Sequence, residues 1–194
     1  HRRARRVREA AVSPTSAGLF SPSARTFADI APKLAVPRVY AGAALLADGR
    51  VIVVGGGGAL GDGAQYKSSE IFNRAAGTYA AGPAMSVARQ AAFAGALPDG
   101  RVLVAGGFPV GPLNPPLSSA EVLDAAATAF TPAAAQLSPG RGVGSTAQLP
   151  DGRLLLAGGL TDGGLSEYSA RIDLFDPVTG TFTQTCDLTT PRVG

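Results

Sequence analysis

Three runs of four apolar residues punctuate the chain: Val51-Ile52-Val53-Val54, Val102-Leu103-Val104-Ala105 and Leu154-Leu155-Leu156-Ala157. None alternates with polar residues, so each predicts a strand buried on both faces. A segment of small residues precedes each run, such as Gln90-Ala91-Ala92-Phe93-Ala94-Gly95-Ala96-Leu97, and Asp-Gly joins the two at 48–49, 99–100 and 151–152. Asp-Gly between strand-like stretches predicts a hairpin, because glycine accepts the positive φ of a tight turn. A third strand follows as acid–apolar–apolar: Glu70-Ile71-Phe72, Glu121-Val122-Leu123 and Asp173-Leu174-Phe175. A turn such as Asp176-Pro177-Val178-Thr179-Gly180 then leads to a short fourth strand at an aromatic. No stretch carries helical periodicity, so the reading is all-β.

These elements recur in register. Asp-Gly-Arg stands at 48–50, 99–101 and 151–153, and a glycine doublet follows at Gly55-Gly56, Gly106-Gly107 and Gly158-Gly159. The acid comes next (Glu70, Glu121, Asp173), then the aromatic (Tyr79, Phe130, Phe182), and an arginine precedes each turn (Arg38, Arg89, Arg141). Arg192 opens a further unit, and Leu19–Phe27 overlies Leu174–Phe182. The division is therefore a half unit at 19–37, whole units at 38–88, 89–140 and 141–191, and the start of another at 192–194. Residues 1–18 form a basic, disordered tail. Four antiparallel strands repeated at this period predict β-propeller blades, an incomplete ring of three blades plus a half. Small residues suit the innermost strands, which crowd towards an axis.

Charge changes the picture little. The net +3 comes from Arg2, Arg3, Arg5, Arg6 and Arg8; without them the remainder is −2. Lacking stacking aromatics or a second basic face, the arm reads as a solvated terminus rather than a nucleic-acid site. No apolar run reaches the ~18 residues of a membrane span. The arginines could open a signal peptide, but Ala10-Ala11-Val12 before Ser13-Pro14 is too short an apolar region. His1 in place of methionine is what a processed chain or a fragment would show. One cysteine and one histidine exclude a disulfide framework and a His/Cys metal cluster.

The glycine doublet after an apolar strand, the third-strand aromatics (Phe20, Phe72, Phe175) and the aromatics opening the fourth strand (Phe27, Tyr79, Phe130, Phe182) resemble bacterial kelch repeats, and are similar also to the propeller domain of galactose oxidase. Two features depart from the pattern: kelch repeats usually carry tryptophan at the fourth-strand position, and Leu123 replaces an aromatic. The resemblance implies a ring of six or seven blades, so this chain would be continued by further blades. It also implies an extracellular or cell-surface location. The copper centre of galactose oxidase is not carried over, because no histidine lies within the repeats.

Candidate chemistry divides into scaffold and loops. Gly56-x-Gly58-x-x-Gly61 spells a dinucleotide fingerprint, but the other units lack it and no helix is expected to follow; it reads as a doublet with loop glycines. Cys186 takes a slot held elsewhere by Ala31, Pro83 and Ala134, and reads as a buried structural cysteine. One acid and one arginine per unit argue against catalysis, which needs groups converging once. Acid and arginine, or acid and backbone, are expected to satisfy each other between blades. No cofactor or metal site is predicted. The loops 57–69, 108–120 and 160–172 are equal in length and unlike in sequence, and a rigid scaffold usually binds through such loops. Asp62, Gln65, Tyr66, Lys67, Asp162, Glu167, Tyr168 and Arg171 are the candidate contacts, with Pro109, Pro112, Pro115 and Pro116 in the middle loop. The expected function is a non-catalytic module binding a protein or glycan. The alternative is a scaffold for a carbohydrate-active enzyme, oxidase or epimerase, whose catalytic residues lie elsewhere.

Overall fold

A computed structural model describes residues 15–31, 33–58, 65–109, 114–162 and 166–193. The arginine cluster and Asp62 lie outside the described residues, as do Gly61 and Pro112. The described residues are all-β, without a helix, in four antiparallel sheets. The hairpin β1 (Gly18–Ser21) and β2 (Thr26–Asp29) stands first. Three four-stranded sheets follow in chain order: β3 (Gly42–Leu45), β4 (Val51–Val54), β5 (Ser69–Asn73) and β6 (Thr78–Ala81); β7 (Phe93–Ala96), β8 (Val102–Ala105), β9 (Ala120–Leu123) and β10 (Phe130–Pro132); β11 (Ser145–Gln148), β12 (Leu154–Ala157), β13 (Ile172–Asp176) and β14 (Thr181–Gln184).

The Asp-Gly-Arg tripeptide makes the first turn of each sheet. Gly49 N–H donates to the Leu46 carbonyl at 2.9 Å with φ at +85°, which ends the turn on a left-handed residue. The Asp48 carboxylate then accepts from the Arg50 backbone N–H and side chain, at 3.0 and 2.7 Å. The same pair of bonds recurs at Asp99–Arg101 and Asp151–Arg153.

The sheets stack through their inner strands, β7 packing against β3 on one side and β11 on the other. Small residues permit this approach. A Cβ on Gly42 would stand 2.7 Å from the Ala94 Cβ, and one on Gly95 would stand 2.7 Å from Leu154. Two apolar cores result. Ile52, Val54, Val102 and Val104 meet between the first and second full sheets; Leu103, Ala105, Leu154 and Leu156 meet between the second and third. β8 feeds both, with Val102, Leu103, Val104 and Ala105 all at 0 % exposure. Burying each of its larger side chains stabilises by about 1.5–3 kcal/mol. The expected two-sided burial therefore holds for β8. In β4 and β12 it alternates, with Val51, Val53, Leu155 and Ala157 partly exposed, because those sheets have a full neighbour on one face only.

The hairpin β1–β2 shows the same effect. Phe20 and Phe27 stack with ring centroids 5.0 Å apart, as Phe175 and Phe182 do at 4.9 Å. Yet Phe20 is 48 % exposed and Phe175 is 1 %. The cross-strand pair is alike; what differs is the presence of two inner strands and a neighbouring sheet.

Candidate functional site

Each loop between the second and third strands rises from a glycine doublet whose two residues are both left-handed. Gly55 and Gly56 have φ of +66° and +86°, Gly106 and Gly107 +64° and +86°, Gly158 and Gly159 +65° and +105°. The doublet also lets another backbone close in. A Cβ on Gly55, Gly106 or Gly158 would collide with the carbonyl oxygen of Arg89, Arg141 or Arg192 in the following unit. That carbonyl accepts from the second glycine: Gly56 N–H to Arg89 O at 2.9 Å, Gly107 N–H to Arg141 O at 3.0 Å, Gly159 N–H to Arg192 O at 2.8 Å.

The arginine side chains turn the other way, into their own sheets. Arg38 Nη1 and Arg89 Nη1 donate to the Gly55 and Gly106 carbonyls, both at 2.8 Å, and Arg141 Nε donates to Gly158 O at 3.0 Å. All three arginines are buried and paired with the predicted acids. Arg38 Nε lies 3.1 Å from Glu70, Arg89 Nη2 3.0 Å from Glu121, and Arg141 Nη2 2.6 Å from Asp173. The acid–arginine pairs form within a unit; of the two expected contacts it is acid with backbone that crosses between units. Glu70 accepts from the N–H groups of Ala35 and Val36 at 2.7 and 3.2 Å, and Glu121 from Ser86 and Val87 at the same distances. These donors lie on the crossover that enters the sheet.

The third unit departs from this arrangement for a reason. Pro139 occupies the place of Val36 and Val87 and has no N–H to donate. The acid there is the shorter Asp173, and Arg171 fills the space, its Nε 3.0 Å from the carboxylate. Burial pushes the Glu121 carboxyl up, but the Ser86, Val87 and Arg89 donors outweigh it and hold the group below the usual glutamate range. Burial pushes Arg89 and Arg141 down, against the opposing pull of their acids; both remain cationic.

Beyond the doublets the loops form narrow stalks. Gly57 bridges Val39 and Gln65, and Leu160 bridges Gly142 and Tyr168. Adjacent stems are tied together, with Ala91 N–H donating to Tyr40 O and Val143 N–H to Ala91 O, both at 2.8 Å. Tyr40, Ala91 and Val143 all hold positive φ (+54°, +52°, +59°), a conformation that costs about 1–2 kcal/mol for a residue with a Cβ.

The predicted contact residues separate into two groups. Lys67 and Glu167 are exposed and Tyr168 is 54 % exposed, with side chains open to a partner. Of the other described candidates, Tyr66, Asp162 and Arg171 serve the scaffold. Tyr66 packs under the Arg38 guanidinium, 5.5 Å from ring centre to Cζ. Asp162 caps its own loop, accepting from Ser166 Oγ at 2.7 Å and Glu167 N–H at 3.0 Å. Arg171 is held by Asp173 and by Gln184 Oε1 at 2.8 Å. Gln65 Oε1 is buried with no hydrogen-bond partner among the described residues. Pro115 is exposed, and Pro109 and Pro116 are half-buried.

Two further readings need comment. Cys186 is exposed, not buried: its slot lies just past the outermost strand, where Ala31 and Ala134 are exposed too, so small size there reflects an open rim. The described glycines after β4 lead into a bridge at Gly57, and among the described residues no helix N-terminus follows to meet a phosphate. Among the described residues no group of three or more His, Cys, Asp or Glu is placed to hold a metal ion. The opposite end of the sheets carries a groove between the second and third sheets that the sequence pattern did not single out; Gln148, standing where the other units have Leu45 and Ala96, was the available signal.

The described residues thus define an all-β protein of stacked antiparallel sheets whose connecting loops gather at one end. No protein-family model and no curated protein sequence matches the chain.

Proposed function

We propose that the chain is an arc of a kelch-type β-propeller and acts as a binding module, presenting the loops 57–69, 108–120 and 160–172 to a protein or glycan partner without chemistry of its own. The observation that carries this reading is the contrast between stem and tip. The stems are fixed by the same glycine–arginine bonds in every unit, while the loop tips have little sequence in common. Conserved geometry under divergent side chains suits recognition, and the side-by-side inner strands with small residues suit a propeller. The exposed Phe20–Phe27 pair, at 48 % and 77 %, favours a ring continued by further strands, which would cover it. An extracellular or cell-surface location goes with the same reading.

Two loop replacements test it. The tips of 57–69 and of 160–172 are each exchanged for glycine–serine sequence of equal length, keeping the glycine doublet, the acid and the residues that serve the scaffold (Gln65, Tyr66, Ser68, Ser69, Leu160, Asp162, Ser169 and Arg171). Glycan-array and pull-down binding should fall at least tenfold in one exchange, with the melting temperature held. Undiminished binding in both would refute the assignment to these loops.

A further inference from the structure

The sheet end that bears the Asp-Gly-Arg turns holds a groove of about 940 Å³. Its walls are the turn from Pro98 to Arg101, the turn from Gln148 to Arg153, and the tip of the β13–β14 hairpin at Asp176–Val178. The topology of each sheet places this end opposite the long loops.

The junction between the second and third sheets is not a copy of the one before it. Arg101 reaches across to donate from Nη2 to the Pro177 carbonyl at 2.6 Å, while keeping its Nε bond to Asp99 at 2.7 Å. That double anchoring fixes the guanidinium in the groove wall. Gln148 is exposed and replaces the apolar Leu45 and Ala96 of the other units. Val178 replaces Ala75 and Ala126 and is 92 % exposed, held there because Asp176 Oδ1 accepts the Val178 N–H at 2.8 Å.

The chemistry of the walls selects a ligand class. The charges come as neutralised pairs, Asp99 with Arg101 and Asp151 with Arg153 at 2.6 Å, and Asp176, within electrostatic reach of Arg153 and accepting the Val178 N–H, leaves the wall only one net negative charge. An anion gains nothing here. An apolar ligand would strip water from five charged groups, at a cost no contact returns. A hydroxyl group both donates and accepts, so a neutral polyol can use carboxylate, guanidinium and the Gln148 amide together. Pro98, Pro150, Pro177 and Val178 offer apolar surface to its C–H faces. We propose that this groove is a binding site for a neutral saccharide. The assignment rests on the binding-module reading, but moves the glycan contact from the loops to the opposite end.

The test is a titration of the isotopically labelled chain with neutral cello-, xylo-, malto- and galacto-oligosaccharides, followed by amide chemical shifts. At least one should move the Gln148, Gly152 and Val178 signals. Gln148→Ala and Val178→Ala should each weaken that binding by about 3–10-fold, the scale of one net hydrogen bond or small apolar contact. Both side chains are exposed, so the melting temperature should hold. Shifts centred on Lys67 and Tyr168 would overturn the groove while upholding the loops. No shift with any of the sugars at about 10 mM would also overturn it, and would leave a protein partner for the loops untouched.

Discussion

Glu121→Ala is the sharpest probe of how the sheets are held together. The carboxylate is 2 % exposed and accepts from Ser86 N–H at 2.7 Å, Val87 N–H at 3.2 Å and Arg89 Nη2 at 3.0 Å. Removing it leaves two backbone donors without their acceptor and a buried guanidinium without its counter-charge. Arg89 retains bonds to Gly106 O, Ser119 O and Ser119 Oγ, so its position is kept while its charge is unbalanced. Losing one partner of a buried pair costs about 3–5 kcal/mol. For a chain of this size each kcal/mol lowers the melting temperature by roughly 2–4 °C, so the drop should be about 6–20 °C by calorimetry. Glu121→Gln keeps one oxygen, which serves one of the two backbone donors, and should lose less, on the order of 1–3 kcal/mol. Replacing the pair by apolar residues, Arg89→Met with Glu121→Leu, should fall less than Glu121→Ala alone, because no unpaired charge remains. The contrast is Asp99→Ala, whose partly exposed pair should cost at most about 1 kcal/mol. Equal losses for Glu121→Ala and Asp99→Ala would refute the reasoning.

Other outcomes follow from the same geometry. The Glu121 carboxyl is held below its ordinary value in the folded state, so its contribution is present above the unfolded pKa of roughly 4.3. It is lost as pH falls through the folded value; denaturant unfolding between pH 7 and pH 3 should show a smaller acid loss in Glu121→Gln than in the parent. Gly107→Ala puts a Cβ 2.6 Å from the Gln90 carbonyl oxygen at a φ of +86°, whereas Gly77→Ala, at +64°, meets nothing within 4 Å. Thermal melts should show a cost near 1 kcal/mol for Gly77→Ala and a several-fold larger one, or no folded protein, for Gly107→Ala. Ala91→Gly relieves a left-handed alanine at the expense of backbone freedom, so its melting temperature should stay within about 4 °C of the parent.

Local pattern carried the strands and turns because both are written in short-range chemistry. Four apolar residues, Asp-Gly and a following acid locate β4, β8 and β12 and their hairpins. The two-sided burial read for all three runs is realised only in β8, since burial depends on how many sheets flank a strand, which no single run encodes. Cys186 shows the same limit. Its counterparts Ala31, Pro83 and Ala134 are small or apolar in sequence, but the rim position that makes size irrelevant appears only in three dimensions. The recurrence of arginine and acid made their partnership legible, with each other or with backbone; which contact stays within a unit and which crosses between units was not, since an N–H leaves no mark in a sequence. Pro139 is the exception that could have been read, because it announces a missing donor exactly where Glu gives way to Asp. Of the loop residues, Tyr66, Asp162 and Arg171 resemble contact residues by type and prove to be occupied within the scaffold, which leaves Lys67, Glu167 and Tyr168 open.

Every junction between units uses the same few atoms: a glycine N–H and the carbonyl of the arginine one unit on, with each guanidinium turned back to a glycine carbonyl of its own unit. A duplicated stretch of about fifty residues would therefore arrive with both halves of its interface already encoded, needing no compensating change in its neighbours. Single-residue slippage falls between the fourth-strand aromatic and the next arginine, 11 residues from Phe27 and Phe130 and 10 from Tyr79 and Phe182, and the glycine–arginine bonds close across either spacing. Growth or shrinkage by whole units would thus be far easier for this architecture than any change within a unit.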